Sequence, residues 1–147
     1  MGIHDTDPNT PNKEFAPEGW HVPSDAEWTT LENYLIANGY NYDGTTTENK
    51  IAKAMASTTG WISYDTTGVP GNDQSLNNSS GFNAFPEGSR GHDGSFYNEG
   101  SLAVFWSSTE YSANYAWYRS LLSNFSSLNR SYYYLRNGFS VRFIKDN

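Results

Sequence analysis

The chain has 147 residues, a net charge of −7 and a pI near 4.7. That length suits one domain with a core of its own, and the negative charge argues against a nucleic-acid partner, whose phosphates the chain would repel. The absence of cysteine excludes disulfides, thiolate metal sites and cysteine nucleophiles. No apolar run approaches the roughly 20 residues that cross a membrane, so we expect no direct membrane insertion.

The first 17 residues are polar and contain three prolines, Pro8, Pro11 and Pro17. This composition is typical of a linker or leader arm, and it lacks the charged and apolar regions of a secretion signal. We therefore predict an arm at residues 1–17, followed by a single domain at residues 18–147.

Ser24 and Glu27 predict the start of a helix. A serine followed three residues later by a glutamate forms a capping box, in which each side chain bonds the backbone N–H of the other residue. The helix should end at Asn38-Gly39, since glycine adopts the left-handed conformation of a C-terminal cap without strain. The apolar residues that follow the cap at helical spacing should face the core: Trp28, Leu31 and Leu35.

A second helix is predicted at residues 48–57, with Ile51 and Met55 on one side and Lys50 and Lys53 on the other. Residues 60–100 are rich in Gly, Asn and Ser and predict a long irregular region. A loop of this length in a compact domain is usually functional or packed by its own side chains. The expected anchors of this region are its large aromatic residues: Trp61, Phe82, Phe85 and Tyr97.

Strand-like patterns begin at residue 101. The run LAVFWSSTE (102–110) is rich in strand-forming residues, and GFSVRFIK (138–145) alternates with the period of a half-buried strand. Between them, residues 111–137 should form two or three short strands with exposed turns. The predicted fold class is therefore α+β, with two early helices, an antiparallel sheet and a long irregular loop region. The two faces of the C-terminal strand would be Phe139, Val141 and Phe143 against Ser140, Arg142 and Ile144.

Residues 111–137, YSANYAWYRSLLSNFSSLNRSYYYLRN, form what we call the Tyr/Ser/Asn segment. Sixteen of its 27 residues are Tyr, Ser or Asn, and it has no Asp, Glu, Lys, Gly or Pro. So many hydroxyls and amides suit a core poorly, and so many aromatics suit disorder poorly. The mixture is that of antibody contact loops, so we predict a binding surface.

Charge and tyrosine placement sharpen this prediction. Three arginines give the segment a charge of +3, so the remaining residues carry −10, and a basic island on an acidic body indicates a recognition site. The alternative is that these arginines are spread over a solvated face. In a strand, Tyr132 and Tyr134 would share one face and Tyr133 the other, with at least two of the three exposed.

Catalytic and metal-binding patterns are weak. His4, His21 and His92 are too scattered to indicate a metal site, and His92-Asp93 is best explained as a solvated loop. Asn72-Asp73 could offer oxygens to calcium, but no EF-hand spacing is present. We therefore predict no enzyme, no cofactor and no metal.

The carboxylates give no hydrolytic pair, since they are candidates only by residue type. Glu27 is explained by the capping box, and Glu110 could pair with Arg142 to support the scaffold. The five tryptophans could form a sugar-stacking platform, but core packing explains most of them. The carboxylates considered are Glu18, Glu27, Glu87, Asp93, Glu99 and Glu110.

Several motifs, taken in order, resemble one bacterial family. They are GWHVPSDAEW (19–28), GW (60–61), SGFNAFPEGSR (80–90), FWSSTE (105–110), AWYR (116–119) and GFSVR (138–142). Together they look like the Fibrobacter succinogenes major paralogous domain, and the likeness covers about residues 15–146. This resemblance implies a C-type-lectin-like fold.

Some proteins of this broad fold are the variable proteins of diversity-generating retroelements, which rewrite adenines in a C-terminal cassette. The Tyr/Ser/Asn segment resembles the product of such rewriting, because its residues are those that altered asparagine codons yield. The resemblance implies a diversified face that binds an unknown protein or glycan on another cell or surface, displayed extracellularly, on a cell surface or on a phage tail. The implied ligand-binding residues are Tyr111, Ser112, Asn114, Tyr115, Tyr118, Leu122, Ser123, Asn124, Phe125, Ser131, Tyr132, Tyr133, Tyr134 and Leu135.

Two chemistries of the same fold do not transfer. The calcium-dependent sugar motifs Glu-Pro-Asn, Gln-Pro-Asp and Trp-Asn-Asp are absent, and the cysteines of formylglycine-generating enzymes are missing. One alternative function is a structural or adhesive bacterial surface module that binds glycan or protein without a diversified site. A glycan-active enzyme is the remaining alternative.

Overall fold

The computed structural model describes residues 15–146, so residues 1–14 and 147 lie outside the described part. Most of the predicted arm therefore falls outside it. The ring of Phe15, the first described residue, lies 5.5 Å from the ring of Phe143. The described chain thus starts against its own C-terminal segment.

Helix α1 spans Asp25–Ala37 and begins as the sequence predicts. The Ser24 hydroxyl accepts a hydrogen bond from the Glu27 backbone N–H at 3.2 Å, and the Glu27 carboxylate accepts one from the Ser24 N–H at 2.8 Å. This reciprocal pair is the predicted capping box. The helix ends before Gly39, whose φ of +77° is the left-handed conformation expected there.

The apolar stripe of α1 forms the centre of the core. Trp28 is 2 % exposed, and its ring lies 5.8 Å from Phe82 and 5.9 Å from Phe105. Leu35 is also buried and Leu31 packs against the cluster, as predicted. The rest of the buried cluster comes from distant parts of the chain: Ile51, Ala52, Met55, Ala56, Trp61, Ala84, Ala103, Leu121 and Leu128.

Helix α2 is shorter than predicted and spans only Ala52–Met55. It does not start earlier, because Glu48 has a φ of +63° and the Asn49 side chain bonds the backbone of Leu128. The Asn49 amide N–H donates to the Leu128 carbonyl and the Asn49 amide oxygen accepts the Leu128 N–H, both at 2.9 Å. Those side-chain bonds replace helical ones. The predicted polar side is also wrong at Lys53, which is buried.

Within residues 15–146, seven strands form three antiparallel sheets: β1 with β7, β2 with β3, and β4–β5–β6 in that order. The predicted α+β class is therefore confirmed. Within residues 15–146, neither α-helix has the length and apolar character needed to cross a membrane. In chain order the strands are β1 (Trp20–His21), β2 (Ser89–Arg90), β3 (Phe96–Tyr97), β4 (Leu102–Ser112), β5 (Tyr115–Leu122), β6 (Asn129–Tyr134) and β7 (Ile144–Lys145).

The Tyr/Ser/Asn segment contributes β5, β6 and the end of β4, which confirms the prediction of two or three strands. The predicted half-buried strand at residues 138–145 is wrong, because only β7 remains of it. Gly138 bridges Arg90 and Ser140 bridges Phe105, so the run changes partner every few residues. Residues 139–144 are consequently all half-buried and do not alternate.

Residues 60–100 are mostly irregular, as predicted, apart from the β2–β3 hairpin and a 3₁₀ turn at Gln74–Leu76. Trp61 is buried and Phe82 packs against the core, so both anchor this region. Phe85 and Tyr97 are 45 % and 48 % exposed, and the prediction that they act as anchors is wrong.

Replacing Trp28 with alanine should lower the free energy of unfolding by about 3–5 kcal/mol, because it opens a cavity in the core. Tyr34→Ala, on the exposed side of the same helix, should change it by no more than about 0.5 kcal/mol. Urea denaturation followed by circular dichroism measures both. Equal losses would show that the core is not centred on α1.

Candidate ligand-binding face

The pairing of β5 with β6 sets which tyrosines share a side. Tyr115 pairs with Tyr134 and Trp117 pairs with Tyr132. Because side chains alternate along a strand, Tyr132 and Tyr134 face one side and Tyr133 faces the other, as predicted. All three are exposed, which confirms the second part of that prediction.

Five rings form one cluster on the first side of the sheet, which we call the aromatic face: Tyr111, Tyr115, Trp117, Tyr132 and Tyr134. Tyr111 and Tyr132 stack in parallel, with centroids 3.8 Å apart and planes at 5°. Trp117 stands perpendicular to both, at 5.1 and 5.6 Å, and Tyr115 meets Tyr134 at 4.5 Å. The rings restrain one another, so a ligand that covers them costs little side-chain entropy.

The hydroxyls of Tyr111 and Tyr115 are protonated near neutral pH. Hydrogen bonding to Tyr132 raises the pKa of Tyr111 above its usual value. Burial, followed by hydrogen bonding to Tyr134, raises the pKa of Tyr115. Each hydroxyl can therefore both donate and accept a hydrogen bond to a ligand.

Arg130 supports the aromatic face from its side. Its Cζ lies 3.6 Å from the centre of the Trp117 ring. Its Nη2 donates to Asp25 Oδ2 at 2.8 Å, and its Nε reaches the two carboxylate oxygens of Asp25 at 3.0 and 3.1 Å. Cation–π contact and an ion pair together hold the Trp117 ring against the start of α1.

Arg119 lies beneath Arg130 and its side chain is 0 % exposed. Its Nη1 donates to Asp25 Oδ1 at 2.6 Å and its Nη2 donates to Thr29 Oγ1 at 3.0 Å, while its Nε makes no hydrogen bond and lies 3.7 Å from Glu32 Oε2. Burial alone would raise the pKa of Asp25, but hydrogen bonds from Arg130 and Arg119 outweigh it and hold that pKa below its ordinary value.

The prediction that the segment presents a basic island to a ligand is therefore wrong. Arg119 is buried and Arg130 is paired with Asp25, which lies outside the segment. Among residues 15–146, Arg136 is the arginine of the segment that is exposed and forms no ion pair. What the segment offers a ligand is aromatic and polar surface with little net charge.

The second side of the sheet carries Tyr118 and Tyr133. Both rings contact Phe139, at 5.4 and 5.8 Å, and Phe139 stacks on Trp106 at 4.2 Å. A cavity of about 460 Å³ lies between this side and the β2–β3 hairpin. Both sides of the segment therefore present tyrosine to solvent.

The remaining predicted site residues divide between the two ends of β5. Ser112 and Asn114 are exposed beside the aromatic face, and the half-buried Leu135 donates its N–H to the Asn114 carbonyl at 3.0 Å. Ser131, on β6, is half-buried. Leu122 is the last residue of β5, roughly 23 Å from Tyr115 at the rise of a strand, and the residues that follow it are Ser123, Asn124 and Phe125.

Ser123 cannot contact a ligand, and its place in the predicted site is wrong. It is 2 % exposed. Its N–H donates to the Ser101 carbonyl at 2.9 Å, and its own carbonyl accepts from the Gly71 N–H at 2.8 Å. The backbone of Gly71 covers it, because a Cβ added at Gly71 would lie 2.8 Å from the Ser123 carbonyl.

The pairing of Glu110 with Arg142 is also wrong. Arg142 donates to the carbonyls of Phe82 and Asn83, at 2.8 and 3.1 Å, and its Cζ lies 4.7 Å from the Phe82 ring. Glu110 is exposed in β4. Arg142 thus ties the C-terminal run to the irregular region.

Sequence reasoning missed one residue of the aromatic face and two residues that line the cavity on the second side of the sheet. The sequence predicts core packing for most of the tryptophans, yet Trp117 joins the tyrosine rings and is only half-buried. His92 and Asp93, interpreted as a solvated loop, line the cavity beside Tyr133. No sequence signal marks His92 and Asp93, because the hairpin is distant from these strands in the chain and lies beside the sheet only in the folded structure.

Within residues 15–146, no group of three His, Cys, Asp or Glu side chains is placed to hold a metal ion. His21 lies between Glu27 and Asp146, whose hydrogen bonds to the imidazole raise the pKa of His21. The oxygens of the Asn72-Asp73 loop bind an ammonium, because Lys53 Nζ donates to both carbonyls.

A family model, that of the Fibrobacter succinogenes major domain, matches residues 5–145. The chain belongs to this family. The match to the Fibrobacter succinogenes major domain includes every strand and helix described above, and it begins inside the segment predicted to be an arm. No curated protein and no solved structure matches the chain.

Asp25→Asn should lower the free energy of unfolding by about 3–5 kcal/mol, because it leaves the buried guanidinium of Arg119 without its counter-charge. Asp65→Asn, at an exposed carboxylate, is the matched control and should change little. Urea denaturation at neutral pH measures the difference. Equal stability of the two variants would show that the Asp25 ion pairs do not hold α1 to the sheet.

The same pair predicts an acid dependence. The pKa of Asp25 in the folded protein lies below its ordinary value of 3.8. The stability it contributes is therefore complete above that ordinary pKa and is lost as the pH falls through the folded pKa. Asp25→Asn should have a shallower decline of stability in that acidic range than the parent protein.

Removing divalent metal should leave thermal stability unchanged, because Lys53 occupies the oxygen-rich loop at Asn72-Asp73. Melting curves recorded with a chelator and with added calcium should coincide, since a ligand of the native state alone raises its stability by mass action. A calcium-dependent rise in melting temperature would contradict this assignment of the loop oxygens.

Proposed function

We propose that the chain is a non-catalytic ligand-binding domain with a C-type-lectin-like fold, and that the aromatic face is its binding site. The α+β class, with two helices, antiparallel sheets and a long irregular region, is compatible with that fold. The observation that carries the proposal is the cluster of five packed rings, whose tyrosines stay open to solvent although Trp117 and Tyr132 are fixed by neighbours.

Tyrosines in this arrangement suit recognition. Tyr111, Tyr132 and Tyr134 are 42–49 % exposed although each contacts another ring. Tyrosine offers a large contact area with few rotatable bonds, and it is enriched among the residues that carry binding energy at interfaces. Contiguous exposed aromatic surface on a soluble protein commonly marks an interaction site.

We further propose that the face is diversified, as in the variable proteins of diversity-generating retroelements. Exposed positions such as Tyr111 and Tyr133 can change without disturbing the core. Buried positions in the same segment, Ala116, Arg119 and Leu121, hold the sheet in place. Such a division between fixed and free positions is what repeated rewriting of one surface requires. The ligand is then a protein or glycan on another cell or surface.

A structural or adhesive surface module without diversification is the second candidate. The burial of Ser123 and the pairing of Arg130 with Asp25 favour it, because both residues of the segment are structural. The nucleotide sequence of the locus separates the two. A near-identical copy of codons 111–137 that differs only at adenines supports diversification, and a locus without such a copy refutes it.

For any ligand recovered from glycan or protein arrays, Tyr132→Ala should weaken binding by about 1–3 kcal/mol, the usual cost of losing an interface anchor. Phe125→Ala is the matched control, because Phe125 is also exposed, at 53 % against 42 % for Tyr132, but lies beyond the other end of β5. Calorimetry on folded variants measures both affinities. Loss of binding with Phe125→Ala but not with Tyr132→Ala would place recognition away from the aromatic face.

A further inference from the structure

A groove runs between the β2–β3 hairpin and the second side of the sheet, and we call it the hairpin groove. Its two cavities, of about 460 and 480 Å³, share His92, Tyr133 and Asn137. The second cavity is also lined by Tyr115 and Tyr134 of the aromatic face. The groove therefore continues around the end of β6 into the proposed binding site.

An ionised carboxylate faces this groove from the hairpin. Asp93 Oδ1 accepts the Ser95 N–H at 3.0 Å, and Oδ2 accepts the Tyr97 hydroxyl at 2.9 Å. These hydrogen bonds, from Ser95 and then from Tyr97, hold the pKa of Asp93 below its ordinary value. Within residues 15–146, no lysine, arginine or histidine nitrogen lies within 4 Å of this carboxylate.

The hairpin holds Asp93 in a defined position. The Gly91 N–H donates to the Ser95 carbonyl at 2.8 Å, and the Gly94 N–H donates to the Gly91 carbonyl at 3.0 Å. Arg90 and Gly138 exchange two backbone hydrogen bonds, at 2.8 and 2.7 Å. The hairpin is thereby fixed to the C-terminal run, and its carboxylate stands opposite the tyrosines of the sheet.

The molecule already shows what a carboxylate beside an aromatic ring can hold. Asp25 and Trp117 hold the guanidinium of Arg130 on the other side of the sheet, one by ion pairing and the other by ring contact. In the hairpin groove, Asp93 has the same chemistry beside Tyr97, Tyr118 and Tyr133, and within residues 15–146 it forms no ion pair shorter than 4 Å.

We propose that the hairpin groove binds an arginine side chain of a protein partner, with the guanidinium paired to Asp93 and covered by the neighbouring tyrosine rings. The partner's charge complements the acidic chain, which carries −7. Of the two cavities, the second alone is lined by Arg136, whose positive charge directs the guanidinium to the Asp93 end. Arginine fits because its planar group pairs with a carboxylate and stacks on rings at once.

This inference rests on the proposed function and deepens it. The hairpin lies outside residues 111–137, so Asp93 is a fixed wall of the site, whereas Tyr118 and Tyr133 form a wall inside the diversified segment. Partners recognised by different versions of the segment would then share one feature, an exposed arginine. Asp93 would then orient the bound partner, and Tyr118 and Tyr133 would determine which partner binds.

The first test uses a small probe. n-Butylguanidinium and its uncharged analogue n-butylurea are titrated into the full chain, and the amide resonances of residues 89–98 and 137–139 are followed by NMR. The guanidinium should produce saturable shifts there and the urea much smaller ones. Asp93→Asn should weaken the guanidinium about two- to fivefold, the range for a solvent-exposed ion pair. Glu99→Gln, an exposed carboxylate nearby, should leave its affinity unchanged.

Three results would overturn the proposal: equal shifts by both probes, guanidinium binding unaffected by Asp93→Asn, or larger shifts with methyl glucoside, which would mark a sugar site instead. A second test selects a displayed library of random peptides on the parent protein. Arginine should be enriched, and the selected peptides should lose affinity with Asp93→Asn.

The peptide test also separates this inference from the proposed function. The selected peptides could depend on Tyr132, contain no excess of arginine and tolerate Asp93→Asn. That result would support the aromatic face as the binding site and refute the arginine site. Guanidinium binding at Asp93, together with peptides whose affinity is unchanged by Tyr132→Ala, would support the arginine site and refute the aromatic face as the binding site.

Discussion

The ion pair between Arg119 and Asp25 fixes helix α1 against the three-stranded sheet. Arg119 is fully buried, so its charge needs the carboxylates beside it, that of Asp25 at 2.6 Å and that of Glu32 at 3.7 Å. Asp25 is the first residue of α1, and the capping box places it there. The same carboxylate binds Arg130, which lies on Trp117 and so orients the rings of the aromatic face. One acidic residue thus connects the helix start, the sheet and the proposed site.

This arrangement limits what a diversified segment can change. Two of its arginines serve the fold, and both depend on a residue some 90 or more positions earlier in the chain. A change at Arg119 would leave Asp25 beside a cavity, whereas a change at Tyr133 alters only exposed surface. The segment is therefore a mixture of supporting and displayed positions, and its polar composition hides the difference.

The features that the sequence predicts well are those decided by neighbours in the chain. The capping box at Ser24 and Glu27 needs only four residues, and the alternation of Tyr132 to Tyr134 needs only a strand. The features that it misses depend on distant partners. Ser123 is buried because Ser101 and Gly71 bond its backbone, and nothing near it in sequence indicates either contact.

The environments of Lys53 and of residues 138–145 also depend on distant partners. A lysine at helical spacing predicts a solvated face, but Lys53 is buried because the carbonyls of Asn72 and Asp73 accept its ammonium. The alternating run at 138–145 predicts a strand, but its partners lie in different elements and do not line up. Periodicity indicates which environment a side chain would prefer, but the partners that the fold brings beside it decide whether it is buried and whether its segment forms a strand.

The pairing of β1 with β7 has a mechanical consequence. Trp20 is opposite Lys145 and the Asp146 N–H donates to the Gly19 carbonyl at 2.9 Å, so both ends of the described chain leave from the same end of this pair. Tension between the two ends would open the pair one hydrogen bond after another. A domain tethered at one end and pulled through a ligand on the sheet would not load the pair in this way. Its resistance to force would depend on which attachment it uses.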